Sequence, residues 1–179
     1  MRLVRYNVAA SLDGYVAGPH RSFDWIPDDP TVDFAGMFAK VDTVLLGRKS
    51  YEVALDMGEL AWSSDTRVFV FSSTLRPENH PDVTVVADHA VERVRALREE
   101  PGDGEIWLFG GGELFRTMLA GGQVDRVELT IAPVLLGSGT PLLAPRAPQT
   151  QLALIDSHRY PSGLVGLTYA VVRWARGSP

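Results

Sequence analysis

The chain has 179 residues, 45% of them hydrophobic and 22% charged, with a formal net charge of −5; at this length roughly 70% of the unfolded surface can be buried, which suits one domain with one core over residues 1–179. The mildly acidic balance, without a stripe of Lys and Arg, argues against a nucleic-acid partner. The absence of cysteine excludes disulfides, thiolate metal sites and cysteine nucleophiles, and His20, His80, His89 and His158 are scattered without ligand spacing, so no metal is expected.

The N-terminal stretch turns polar early, and no run approaches the roughly 20 apolar residues of a membrane span. A cytoplasmic address without a membrane partner is therefore expected. Along the chain, apolar runs of strand length alternate with helical patterns: residues 3–10, 41–46, 68–71, 83–86 and 106–109 read as strands. Between them, a first helix is expected with Asp29 as N-cap and Pro30 at its first position, burying Phe34, Ala35, Phe38 and Val41. A second is expected over 48–57. A third has Asp88 as N-cap and shares one face among Val91, Val94 and Leu97, ending at Pro101-Gly102. A fourth covers 113–119. Beyond it the texture changes to strands at 126–136, 152–158 and 164–174 joined by Gly- and Pro-rich turns, which predicts a sheet that is parallel first and antiparallel last.

Three strand ends carry residues suited to an anion. Gly110-Gly111-Gly112 joins a buried strand to a helix start, where free N–H groups and the helix dipole face outward and missing Cβ atoms allow close approach; the spacing suits a pyrophosphate, and equally a tight turn before a packed helix. Gly47-Arg48-Lys49-Ser50 places two cations and a hydroxyl at another helix start, where basic side chains oppose the dipole, so that either an anionic ligand or simple solvation accounts for them. Ser72-Ser73 ends an apolar strand in hydroxyls that suit a phosphate, a ribose or a plain turn. Ligands of open α/β sheets settle outside the carboxyl ends of strands, and a phosphorylated dinucleotide spanning all three ends is the economical reading. Near the N-terminus, Asp13-Gly14 forms a turn leading to Gly18-Pro19, a loop suited to closing over a substrate. Phe23-Asp24-Trp25 and the following Asp28 and Asp29 set an aromatic face beside carboxylates, suited to a flat heterocycle, although Asp29 also suits a helix cap.

These residues resemble the dihydrofolate-reductase-like superfamily, most closely the reductase (RibD C-terminal) domain of the riboflavin-biosynthesis deaminase-reductases and its stand-alone relatives. The matching blocks are Ser11-Leu12-Asp13-Gly14, Phe23-Asp24-Trp25, the segment 44–52, the segment 106–112, and Leu129-Thr130-Ile131 followed by Leu136-Gly137. The resemblance implies a three-layer α/β sandwich with a mixed, mostly parallel sheet and antiparallel C-terminal strands, forming a homodimer. It also implies an NADPH site in which Gly47, Arg48, Lys49, Ser50 and Gly110, Gly111 and Gly112 hold phosphates. Ser72 and Ser73 would face the adenosine end, Ala10 and Gly18 would approach the nicotinamide, and Glu113 and Leu114 would stand at the cofactor's edge. The substrate, a small heterocycle such as a phosphoribosylated aminouracil, would meet Asp13, Trp25 and Thr130; from the residues themselves, Asp29 is the candidate to relay a proton or orient a water, a step that solvent could also perform unaided. Pro30 stands where a folate-binding helix carboxylate would follow the tryptophan, which points away from folate. A dihydrofolate reductase proper and a non-catalytic dinucleotide-binding module are the rival readings. Without cysteine and without length for a second domain, any riboflavin-pathway role would be the reductase step alone.

Overall fold

Short β-branched and aromatic runs dominate the strands of the computed structural model, which describes residues 1–58 and 62–172. In chain order the elements are β1 (Val4–Ser11), β2 (Tyr15–Ala17), α1 (Phe34–Phe38), β3 (Val41–Gly47), α2 (Arg48–Met57), β4 (Arg67–Phe71), β5 (Thr84–Val86) and α3 (Ala90–Glu99), followed by β6 (Glu105–Gly110), α4 (Gly112–Ala120), β7 (Arg126–Ala132), β8 (Thr140–Pro141), β9 (Leu152–Arg159) and β10 (Val165–Val171). Eight strands form one sheet in the order β5-β4-β3-β6-β1-β7-β10-β9, and β2 pairs with β8 apart from it. Every pairing from β5 across to β7 is parallel, and β10 runs antiparallel to both β7 and β9. The architecture is the mixed α/β sheet with antiparallel C-terminal strands expected from the change in texture.

Strand alternation sorts the core onto the two faces. On one face Tyr6, Leu45, Ile106 and Leu108 pack with Val94 and Leu97 of α3 and Phe115 and Met118 of α4; the Tyr6 and Phe115 rings stack with centroids 3.7 Å apart. On the other face Val44, Leu46, Val70 and Trp107 pack with Tyr51 of α2 and Phe38 of α1. Among the described residues no helix is long and apolar enough to cross a membrane.

Several boundaries differ from expectation. The first helix does not begin at Asp29 and Pro30: Asp33 caps α1, its Oδ1 accepting the Gly36 N–H at 2.8 Å. The carboxylate of Asp29 is drawn away by other donors, and the helix that remains is short enough to leave Phe34 exposed and Val41 in β3. Asp88 does not cap α3; His89 occupies that place in a left-handed conformation, with φ 49°. β7 ends at Ala132 rather than running to residue 136, because Pro133 has no N–H to continue a ladder. The strand expected over 164–174 is observed as Val165–Val171, and Arg173 and Trp174 lie outside the described residues.

Candidate cofactor and substrate site

The carboxyl ends of β3 and β6, neighbours in the sheet, each lead directly into a helix. Gly47 stands at the N-cap of α2 and Gly111 at that of α4, and no side chain caps either helix. The first-turn N–H groups of both helices therefore lack side-chain partners and carry the positive end of the dipole. The two ends touch: a Cβ on Gly47 would lie 3.6 Å from the Gly111 nitrogen, and one on Gly111 would lie 3.3 Å from Ser50 Oγ. Gly47, Ser50, Gly110 and Gly111 thus form one cradle, with the Gly110–Gly111 peptide cis.

The three glycines have different duties. Gly110 has φ +142°, a conformation open mainly to glycine. Gly111 has φ −90°, which any residue adopts, so its lack of a side chain leaves space rather than relieving backbone strain. Gly112 faces the chain itself, where a Cβ would come within 3.1 Å of the Pro141 carbonyl oxygen and 3.2 Å of the Ala144 nitrogen.

Around the cradle, Arg48 donates to Glu52 at 2.6 Å, while Lys49 is exposed with no ion pair among the described residues. Ser72 lies one strand further out, its Oγ accepting the N–H groups of Thr74 and Leu75 at 3.2 and 3.0 Å, and Ser73 is exposed. Glu113 is exposed and accepts from Arg116 at 2.5 Å, and the Leu114 side chain is core, so the first-turn N–H groups are what these two positions can offer a ligand. Ala10 is fully buried near the end of β1. Gly18 sits against Ser22 and Trp25, where a Cβ would lie 3.6 Å from Trp25 Cδ1.

The residues expected at the substrate separate into two groups. Asp13 and Asp29 are loop clasps. Asp13 accepts from Ser11 Oγ at 2.7 Å and from the Leu136 and Gly137 N–H groups at 3.1 and 2.7 Å, joining the loop after β1 to the loop after β7. The Ser11 hydroxyl, followed by those two amides, holds its pKa down at about 2. Asp29, 6% exposed, accepts from Thr31 N and Oγ1 at 2.9 and 2.6 Å and from Ser162 N at 2.9 Å, tying the approach to α1 to the β9–β10 turn. Its donors, Ser162 first and Thr31 next, hold it far below the usual carboxylate range. A carboxylate so committed carries no proton to deliver at neutral pH. Trp25 donates Nε1–H to the Ser22 carbonyl at 2.9 Å and so braces the same loop.

Thr130 belongs to the second group. Alternation places it on the helix-poor half of the sheet, lining a cavity of about 250 Å³ with Asn7, Glu128, His158, Tyr160 and Thr168. Met37 of α1 overhangs this trough, and Arg5 beneath it donates to the Met37 carbonyl. Asn7 Nδ2 donates to Glu128 Oε2 at 2.8 Å, and Arg5 pairs with Glu128 and Glu105 at 3.5 and 3.2 Å. Sequence reasoning found only Thr130 here. The available signal was polar residues recurring at every second position, as in Arg5-Tyr6-Asn7, Glu128-Leu129-Thr130 and Asp156-Ser157-His158.

A sheet in this order, with two helix starts converging at its carboxyl edge beside a polar trough, defines a dihydrofolate-reductase-like α/β fold. The chain belongs to the RibD C-terminal domain family, whose model matches residues 2–166. It is 31% identical to the uncharacterized protein YyaP of Bacillus subtilis (strain 168), with 94% of each chain covered. Among solved structures it resembles a proposed riboflavin biosynthesis protein from Shewanella sp. PV-4, with TM-score 0.81, 28% identity and coverage of 97% of this chain and 100% of that one. It shares the fold of a diaminohydroxyphosphoribosylaminopyrimidine deaminase/5-amino-6-(5-phosphoribosylamino)uracil reductase from Thermotoga maritima, with TM-score 0.70, 18% identity and coverage of 96% of this chain and 57% of that one.

Proposed function

We propose that the protein is an NADPH-dependent reductase acting on a small heterocycle, of the kind reduced by 5-amino-6-(5-phosphoribosylamino)uracil reductases. The observation that carries this reading is the meeting of two uncapped helix starts at Gly47, Ser50, Gly110 and Gly111. A pyrophosphate fits that donor set: it takes backbone N–H groups that lack side-chain partners, and it fills space that side chains on the glycines would occupy.

In this reading Gly47, Ser50, Gly110 and Gly111 hold the pyrophosphate, with the N–H groups of Gly112, Glu113 and Leu114 directed toward it. Arg48 and Lys49 receive the 2′-phosphate, Ser72 and Ser73 face the adenosine, and Ala10 and Gly18 bound the nicotinamide end. When bound, the nicotinamide supplies the hydride. The chain aligns donor and acceptor, an orientation effect worth about 7 to 11 kcal/mol of barrier. Asp13, Asp29 and Trp25 hold the loops around the pocket, Thr130 bounds the acceptor, and solvent water supplies the proton in place of Asp29, whose carboxylate is taken up by Thr31 and Ser162.

We also propose a homodimer formed through β9. That edge strand is exposed along its whole length, with Leu152, Leu154 and Ile155 among its exposed apolar residues, and an open edge of this kind favours pairing.

Titration with NADPH, followed by measurement of NADPH oxidation with a phosphoribosylaminouracil, tests the activity. Saturable binding with turnover is expected. Absence of binding overturns the reading, and binding without turnover across a panel of heterocycles supports the non-catalytic module instead.

A further inference from the structure

We propose that Glu128, on the floor of the trough, reads an exocyclic amino group of the bound heterocycle, so that this pocket prefers a ring that carries amino groups to one, such as uracil, that carries none. This rests on the reductase reading only in taking the bound ring to be the hydride acceptor.

Asp29 and Asp33, the acids on either side of Pro30, are already committed. Asp29 is closed by Thr31 and Ser162, Asp33 caps the helix, and α1 itself contains no acidic residue. The carboxylate that faces the pocket comes from the sheet. Glu128 is held by Asn7 and Arg5 through Oε2 alone, which leaves Oε1 without a partner among the described residues. A carboxylate oriented in this way and left with a free oxygen is prepared to accept from a ligand N–H group.

The surroundings favour the same partner. Thr168 lies opposite Glu128 on β10, Thr130 lies two residues along β7, and neither hydroxyl has a partner among the described residues. Gly166 lies opposite Thr130, and a Cβ there would come within 3.4 Å of the Tyr160 ring, so glycine keeps the trough open. Of the charged side chains at or beneath the trough, Arg5 is already paired with Glu105 and Glu128, while Asp156 adds an acid without an ion pair among the described residues. The balance is acidic, which suits amino donors on the ring seated there. The trough also lies close to the proposed nicotinamide end, because Thr130 pairs with Ala9, the residue before Ala10.

The test measures binding of 2,4-diaminopyrimidine and of uracil by calorimetry to the wild-type protein and to Glu128→Gln and Thr168→Val variants, with NADPH titrated separately into each. The diaminopyrimidine should bind the wild type more tightly than uracil does, and Glu128→Gln should weaken it by about tenfold or more, the loss expected for a charge-assisted hydrogen bond. Thr168→Val should weaken it less, and NADPH affinity should stay the same in all three proteins. No binding of the diaminopyrimidine to the wild type, equal binding of uracil, or wild-type affinity in Glu128→Gln overturns the proposal. Should Glu128→Gln fail to fold once Arg5 loses its partner, Thr168→Val decides: unchanged diaminopyrimidine affinity there overturns the proposal, and weakened affinity supports it. Failure of NADPH to bind any of the three would overturn the reductase reading while leaving the aminopyrimidine result intact.

Discussion

Gly111 is the position where binding and folding separate most cleanly. Its φ of −90° accepts a side chain, and the space that the side chain would enter is bounded by the Ser50 hydroxyl. Gly111→Val should therefore raise the NADPH dissociation constant by about tenfold or more, about 1.4 kcal/mol, while shifting the denaturation midpoint little. The neighbouring Gly112→Ala should do the reverse and destabilise the fold, because its Cβ meets the Pro141 and Ala144 backbone. Parallel cofactor titration and urea unfolding of the two variants check this, and unchanged NADPH affinity in folded Gly111→Val refutes the cradle. Among the described residues Lys49 has no ion pair, whereas Arg48 already has Glu52. The preference for NADPH over NADH should accordingly fall in Lys49→Gln, by up to the roughly 1.5 to 3 kcal/mol of a charge-assisted contact. Equal dissociation constants for the two nucleotides in the wild type would contradict the role of both cations.

Asp13 gives a pH signature at the same scale. Its folded pKa, about 2, lies below the ordinary 3.8, so its contribution to stability is present above the ordinary value and is lost as pH falls through about 2. Thermal melting of wild type and Asp13→Asn should show wild type higher at neutral pH, with the gap closing from about pH 4 downward. A gap of constant size across that window would mean that the Leu136 and Gly137 amides do not depend on the charge.

Among the elements, β9 is the exposed edge of the eight-stranded sheet, and every residue in it is accessible to solvent. Its inner register carries Asp156 and His158 toward the trough, while Leu154 pairs with Tyr169 beyond a bulge. A second copy paired on this edge would cover it, and light scattering at micromolar concentration should report a dimer. Ile155→Lys should shift the species toward monomer, because edge lysines oppose strand pairing. A wild-type monomer at that concentration would count against the pairing. α1 shows how easily a short element is displaced: Asp33, four residues beyond Asp29, caps it instead, so the expected helix loses its first turn to a loop.

For the whole molecule, the deciding comparison is between substrates. With Asp29 and Asp33 both occupied, no helix carboxylate is left for a pterin ring, so dihydrofolate should be used about tenfold to a hundredfold less well than an aminouracil, the equivalent of about 1.5 to 3 kcal/mol. Parallel NADPH-oxidation assays give the two values of kcat/KM. A higher value for dihydrofolate would return Asp29 or Asp33 to the substrate.

What could be read along the chain was whatever rests on neighbours in sequence. Apolar runs marked the strands of the sheet, and the period of the helix faces marked α2, α3 and α4. The glycines and cations at 47–50 and 110–112 marked the two helix starts, because backbone freedom and the helix dipole are local properties. Tertiary structure alone decided how distant residues spend their side chains. The Asp29 carboxylate reaches Ser162, 133 positions away, and that bond takes it from the helix cap and from any proton relay. Asn7 and Glu128, 121 positions apart, meet because β1 and β7 pair in parallel, a register that no local pattern specifies. A side chain's hydrogen bonds go to the donors that the fold brings near it, and so the cradle was visible in the sequence while the trough beside it was not.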